Sequence, residues 1–305
     1  MKFEEFEVVD AHTHFFSYTW MENFCKLATD KFSREQGVEE LASFLDWEAP
    51  PVNPRELGER WIDEQEIYGV SKQVLFASKL NDAEYLTAAT SAFPDRLIGY
   101  VLIDPTEERA RANAVYSINI LGMRGMMLFP AMHHYHVYDD RVLPVLEEAL
   151  SCEVPVFIHF GELRIPIFEK LGIPSHIDLS YSNPLDLKRV AGDYKEVRFI
   201  IPHFGCGKFD EALEVAKEFE NVYVDTSSSN SWIPEPETLE TVFKRTLKTI
   251  GPERVLFGTD SSYFPRGWRK DIFDEQRKII EEIGLSHEDK QLIFAGNIKR
   301  ILRLT

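Results

Sequence analysis

The 305 residues are 44% hydrophobic and 28% charged, an ordinary globular composition with enough apolar material for a large core, so a folded protein is the starting expectation. Lys and Arg number 34 against 51 Asp and Glu, giving a formal charge of -17 with no basic run anywhere, which disfavours holding a phosphate backbone and sets nucleic acid aside. Three cysteines, Cys25, Cys152 and Cys206, lack CxxC spacing and point to a reducing compartment. With no leader-like start and no apolar stretch of about 18 residues, the expected location is cytoplasmic and away from membranes.

The apolar run at 6–11 predicts a first strand, and His12-Thr13-His14 follows it directly. On extended backbone residues i and i+2 share a face, so both imidazoles can converge on one ion; alone, the pattern suits two histidines bonded to backbone or water equally well. Residues 15–56, from FFSYTW to WEAPPVNP, form a long insertion, expected as a lid or substrate flap. Further strand-like runs lie at 73–76, 97–103, 125–129, 156–159, 198–202, 222–225 and 255–258. They are nearly continuous in apolar character, as in strands buried on both faces.

Helical spacing appears at 107–120, 140–150, 208–219 and 237–250, with Asp139 or Asp140 suited to start the second of these and Gly122 and Gly251 placed as stops. Ser286 and Asp289 resemble the start of a closing helical piece. Eight strands alternating with helices predict an α/β chain, a single (β/α)8 TIM barrel over residues 1–305 with an insertion after strand 1 and a C-terminal helical extension.

Three further groups are delivered to the same end of that barrel. His159 closes the fifth run, His203 closes the sixth, and Asp260 follows the eighth, all at C-terminal strand ends where barrel enzymes build their sites. Placement of this many polar groups for packing alone is disfavoured, because an unpartnered polar group beside a buried strand costs free energy.

Together with RGMMLFP, DDRVLPVLEEA, VPVFIHFGE, NVYVDTS and PERVLFGTDSSYFP, these residues resemble the amidohydrolase superfamily, in particular the amidohydrolase-related branch that includes aminocarboxymuconate-semialdehyde decarboxylase. The resemblance covers nearly the whole chain. It implies His12, His14, His159 and Asp260 as ligands of a divalent metal, with His203 as an unligated catalytic histidine. Many members carry a lysine on the fourth strand; Met127 stands there instead and cannot supply a bridging carboxylated lysine, so one ion is expected. Zn2+ is the first expectation for this donor set, with Mn2+ or Fe2+ also compatible.

The expected activity is that of a metal-dependent hydrolase acting on a C–N or C–O bond of a small molecule, with Asp260 accepting a proton from activated water and His203 polarising the substrate. The alternative is a nonoxidative decarboxylase, a carboxy-lyase of the same branch; a noncatalytic metal-binding barrel is a third class. Arg266, Arg164 and Arg124 are each candidates for a substrate carboxylate, with a surface or inter-loop salt bridge as the alternative for each. Phe16 and Trp268, with Phe15, Tyr18, Trp20 and Tyr263, suit an apolar slot or packing beneath the flap. His133, His134 and His136 read as solvated loop residues, Cys206 as a wall residue and not a nucleophile, and Glu162 as either an orienting or an exposed carboxylate. The partner is a small-molecule substrate, with a homodimer left open as the assembly.

Overall fold

The computed structural model describes residues 6–28, 31–32, 37–80, 82–229 and 233–304. Eight parallel strands follow one another in space in chain order: β1 (Val9–Phe15), β2 (Lys72–Ala77), β3 (Leu97–Leu102), β4 (Gly125–Leu128), β5 (Val156–Ile158), β6 (Phe199–Ile201), β7 (Val222–Asp225) and β8 (Val255–Leu256). The seam between β8 and β1 is closed by backbone hydrogen bonds from Ala11 N to Phe257 O at 3.0 Å, Asp260 N to His12 O at 2.9 Å and His14 N to Ser261 O at 2.7 Å. The chain is therefore a closed (β/α)8 barrel.

Alternation along each strand divides the apolar residues into two layers. Val74, Phe76, Ile98, Tyr100, Met127, Phe157 and Ile200 fill the barrel interior, while Leu75, Val101, Leu128, Ile158, Ile201 and Val224 face the surrounding helices. Ala295, Ile298, Ile301 and Leu302 from the C-terminal segment join the interior cluster and plug the N-terminal end. That segment starts as read, with Ser286 Oγ accepting from Asp289 N. The opposite, C-terminal mouth is left for the site.

The insertion after β1 builds its own small core. Helices Tyr18–Leu27 and Gly37–Leu45 bury Trp20, Phe24, Leu41 and Leu45 against Ile167 and Leu171 from the segment after β5. Ser17 caps the first helix, and its hydroxyl donates to Asp82 Oδ2 at 2.6 Å, tying the insertion to the segment after β2. Positions 29, 30 and 33–36 lie outside the described residues.

Two local readings need correction. β1 runs from Val9 to Phe15 and not from 6 to 11, so His12 and His14 lie inside the strand. Asp139 and Asp140 do not cap the helix Leu143–Ser151, whose N-cap is Val142; Asp139 Oδ2 instead accepts from His136 N.

Candidate metal centre

Because β1 stays extended through Phe15, His12 and His14 project to the same side at the mouth. Asp260, at φ +58°, turns back from the β8 end to meet them: its Oδ1 lies 3.6 Å from His12 Nε2 and 3.2 Å from His14 Nε2. The far nitrogen of each ring is held by another residue. His12 Nδ1 donates to Asp225 Oδ2 at 2.9 Å, and His14 Nδ1 is 2.7 Å from Ser78 Oγ. Such outer partners orient an imidazole so that its inner nitrogen is the ligand.

The charges at this point decide what fits. Burial lowers the pKa of His12 despite its neighbour Asp225, which favours the neutral ring. For Asp260 burial opposes ionisation, but the His14 hydrogen bond and the nearby imidazoles prevail and hold its carboxyl well below the usual range. A carboxylate facing two imidazole nitrogens needs a proton or a cation between them. His12, His14 and Asp260, whose donor atoms all lie within 4.8 Å of one another, fit a divalent ion.

His159, directly after β5, faces the same mouth but does not join that trio within 4.8 Å. Its ring stacks on Phe129 with centroids 5.1 Å apart and lies 5.2 Å from the His203 ring. Burial pushes its pKa well below the ordinary value, and its buried Nδ1 has no hydrogen-bond partner among the described residues. A neutral imidazole with an orphaned nitrogen beside a carboxylate is a fitting fourth donor.

His203 Nδ1 donates to the Ser227 carbonyl at 2.6 Å. An acceptor-only partner fixes the proton on Nδ1 and leaves Nε2 free for chemistry. The backbone here is unusual: His203, Phe204, Cys206, Ser228 and Asp260 all have positive φ between 45° and 58°. Five non-glycine residues in the left-handed region at the ends of β6, β7 and β8 concentrate strain where side chains are aimed inward.

A cavity of about 410 Å3 opens above these groups, lined by His14, His159, His203 and Asp260, with Met127 and Leu102 below. One wall is a run of nearly parallel rings. Phe16 stacks on Trp20 at 3.8 Å, and Trp47 stacks on Tyr263 at 4.0 Å with 11° between planes. The Arg266 guanidinium lies over Tyr263 at 4.4 Å and donates to Ser262 Oγ at 2.6 Å. Arg164, Arg269 and Glu162 also reach the cavity.

Other candidates fall elsewhere. Trp268 is buried behind the strands, its Nε1 donating to Asp10 Oδ2 at 2.8 Å, because a buried indole N–H requires an acceptor. Phe15 is in the outer core layer, and Arg124 Nη2 bonds the Leu302 carbonyl at the closed end. His133, His134 and His136 do not line the cavity; His136 pairs with Asp186 at 2.7 Å. Cys206 is buried, its thiol pushed up by burial, and donates to Glu162 O.

The structure adds residues that reading by segment left unassigned. Asp225 and Ser227 hold His12 and His203, and Trp47 and Arg269 line the cavity. Asp10 accepts from His12 N, Thr259 N, Thr259 Oγ1 and Trp268 Nε1, joining β1 to the β8 segment; burial outweighs these bonds and raises its pKa to about 6.

A closed parallel barrel with a His, His, Asp cation site at its C-terminal mouth defines a class of metal-dependent barrel enzymes. The chain belongs to the Amidohydrolase family, whose model matches residues 9–304. In sequence it is 23% identical over 235 residues to 2-keto-4-carboxy-3-hexenedioate hydratase of a Sphingobium species, covering 68% of this chain and 66% of the hydratase. In structure it is similar to 5-carboxyvanillate decarboxylase of Novosphingobium aromaticivorans, solved with manganese and 3-methoxy-4-hydroxy-5-nitrobenzoic acid (TM-score 0.68, 15% identity, 99% and 98% of the two chains). A Pseudomonas putida protein assigned as a 2-pyrone-4,6-dicarboxylic acid hydrolase is also similar (TM-score 0.62, 20% identity, 97% of each chain). At these identities the structural likenesses establish the fold. No helix among the described residues is long and apolar enough to cross a membrane.

Proposed function

We propose that the protein is a metal-dependent, nonoxidative carboxy-lyase acting on a small aromatic carboxylate. The observation that carries this reading is the cavity itself: the stacked rings of Phe16, Trp20, Trp47 and Tyr263 form one aromatic side of it, beside the His and Asp cluster, with Arg266 over Tyr263. Such a wall suits a planar ring, and a guanidinium beside it suits a carboxylate. The ligand of the manganese-containing decarboxylase, a substituted benzoic acid, supports the same class.

In this reading His12, His14, His159 and Asp260 hold one divalent ion, which would supply Lewis acidity toward a substrate oxygen. The manganese in the decarboxylase relative supports Mn2+, and the nitrogen-rich donor set also suits Zn2+. Met127 faces the barrel interior, where its thioether offers no bridging oxygen for a second ion. Arg266 orients the carboxylate, and the stacked rings exclude water from the ring face. His203, whose Nδ1–H stays on the Ser227 carbonyl, takes up a second proton at Nε2 from solvent and delivers it to the ring carbon. The carbon–carboxylate bond breaks, CO2 leaves, the electron pair stays with the ring carbon as its new C–H bond, and solvent restores the proton. Residues 15–56 act as the flap that supplies Phe16, Trp20 and Trp47.

The second reading is addition of water, by hydrolysis or hydration. The hydratase relative favours it, and in this reading Asp260 would accept a proton from water. One experiment separates them: metal-loaded protein is incubated in H2-18O with hydroxybenzoates, lactones and unsaturated keto acids. CO2 release without 18O in the organic product supports the lyase. Incorporation of 18O without CO2 selects the water-adding reaction and removes the lyase.

A further inference from the structure

Asp225 is surrounded by donors, but its two oxygens are not equivalent. Oδ1 accepts three hydrogen bonds, from His203 N at 3.0 Å, Ser227 N at 2.9 Å and the Ser227 hydroxyl. Oδ2 faces the His12 ring, with Nδ1 at 2.9 Å. Asp225, His12 and Ser227 are all at most 1% exposed, so water does not compete. Carboxylate oxygens only accept; His12 must therefore carry its proton on Nδ1, and its lone pair sits on Nε2, the nitrogen turned toward Asp260. The Ser227 hydroxyl, 2.7 Å from His12 Nδ1, has its one proton committed to Asp225, so it can only reinforce this arrangement.

We infer that Asp225 is a positioning residue that sets the tautomer of His12 and so makes its Nε2 competent to bind a cation. The inference rests on His12 being a metal ligand and is independent of which reaction follows. The unequal oxygens supply its test. In Asp225→Asn the three donors keep the amide oxygen in the Oδ1 place, since the reverse orientation sets an NH2 group against two N–H groups. The NH2 then faces His12 Nδ1, which must accept. The ring proton moves to Nε2 and the lone pair turns away from the cation position. An almost isosteric change would thus disable a ligand it never touches through the metal, and outer partners of this kind are worth about 10- to 100-fold in metal affinity.

The experiment uses metal-free full-length protein labelled with 15N in its nine histidines, read by long-range 1H–15N spectra, with His12 assigned by its loss in His12→Gln. Wild type is expected to show His12 protonated at Nδ1, and Asp225→Asn to show it protonated at Nε2. Mn2+ titrations followed by electron paramagnetic resonance are expected to weaken by about tenfold or more in Asp225→Asn. Ser227→Ala, which leaves Asp225 Oδ2 facing His12, is expected to keep the wild-type tautomer. A wild-type His12 protonated at Nε2 overturns the inference, as does Asp225→Asn with an unchanged tautomer and unchanged Mn2+ affinity. Should circular dichroism show Asp225→Asn unfolded, the tautomers of wild type and Ser227→Ala still decide. All readouts are made without substrate, so failure to find CO2 release would count against the lyase and leave this inference standing.

Discussion

Replacement of His203 by Asn and by Gln separates its proton from its hydrogen bond. The residue sits at φ +54°, a region that Asn tolerates better than most side chains, so the backbone can be kept. The Asn amide nitrogen takes roughly the place of Nδ1 and can keep donating to the Ser227 carbonyl, 2.6 Å from that atom in the native site. What disappears is Nε2 alone. If that nitrogen transfers the proton, His203→Asn loses about a hundred- to ten-thousandfold in kcat, or roughly 2.7–5.5 kcal/mol of barrier, with metal content unchanged. Gln reaches the Nε2 place with an amide that donates but cannot pass a proton on, so His203→Gln should recover substrate binding and little of the rate. The assay is kcat, KM and metal content on the same preparations, using the substrate the panel identifies. Near-native turnover in His203→Asn refutes the reasoning; metal loss in that variant makes His203 a ligand instead.

Four further outcomes follow from the same geometry. Chelation should abolish turnover, Mn2+ should restore it, and calorimetry should show the bound ion adding about 4 kcal/mol of stability at a thousandfold excess over its Kd; full activity after metal removal would end the metal-dependent reading. In metal-free protein, burial lowers the pKa of both His12 and His159, so below pH 6.5 the unfolded state binds more protons than the native one. Their contribution is complete above the unfolded value and is lost on acidification at up to about 1.4 kcal/mol per pH unit for each ring; equal urea midpoints at pH 7.5 and 5.5 would contradict this. Gly258→Ala sets a methyl 2.8 Å from His12 Cβ and 3.1 Å from Ser227 Cβ, so Mn2+ affinity should drop while circular dichroism stays native, and an unchanged affinity would show that the seam can yield. Trp47→Ala removes the ring stacked on Tyr263 and should raise KM for aromatic acids by up to about tenfold with a smaller change in kcat; an unchanged KM removes the wall from recognition.

The barrel was legible because parallel strands covered on both faces leave long apolar runs, and these recur eight times with helical patterns between them. The end of β1 was not. Its apolar run stops at Ala11 because His12 and His14 are polar, yet the backbone stays extended through Phe15, since Thr13, His14 and Phe15 pair with Leu75, Phe76 and Ala77 of β2 and Asp10 and Asp225 satisfy the polar groups of His12. Asp225 was visible as the last residue of VYVD, in the same kind of strand-end position as His159 and His203, but its role depends on reaching across to β1. Trp47 and Arg269 carry no local pattern at all, because only tertiary folding brings the insertion and the segment after β8 to one wall. Trp268 was drawn toward the cavity by its proximity to Asp260 in sequence, and the hydrogen bond its indole makes to Asp10 turns it the other way.

The ring of metal donors is a poor guide to which bond is broken, since the same His and Asp set can serve addition of water or loss of CO2. The segment after β8 is more informative because it joins the two jobs. It carries Asp260 at the donor cluster, Tyr263 in the aromatic wall and Arg266 at the wall's end. The insertion docks on it through Glu48 N donating to Phe264 O at 2.8 Å, immediately after Trp47. The insertion and the Asp260 donor are therefore joined through one short stretch of backbone. If, as proposed, the insertion acts as a flap, its movement would either break the Trp47–Tyr263 stack or pull on the segment that carries Asp260. In the proposed reading, an aromatic acid held between the insertion and the donors touches both ends of this segment at once.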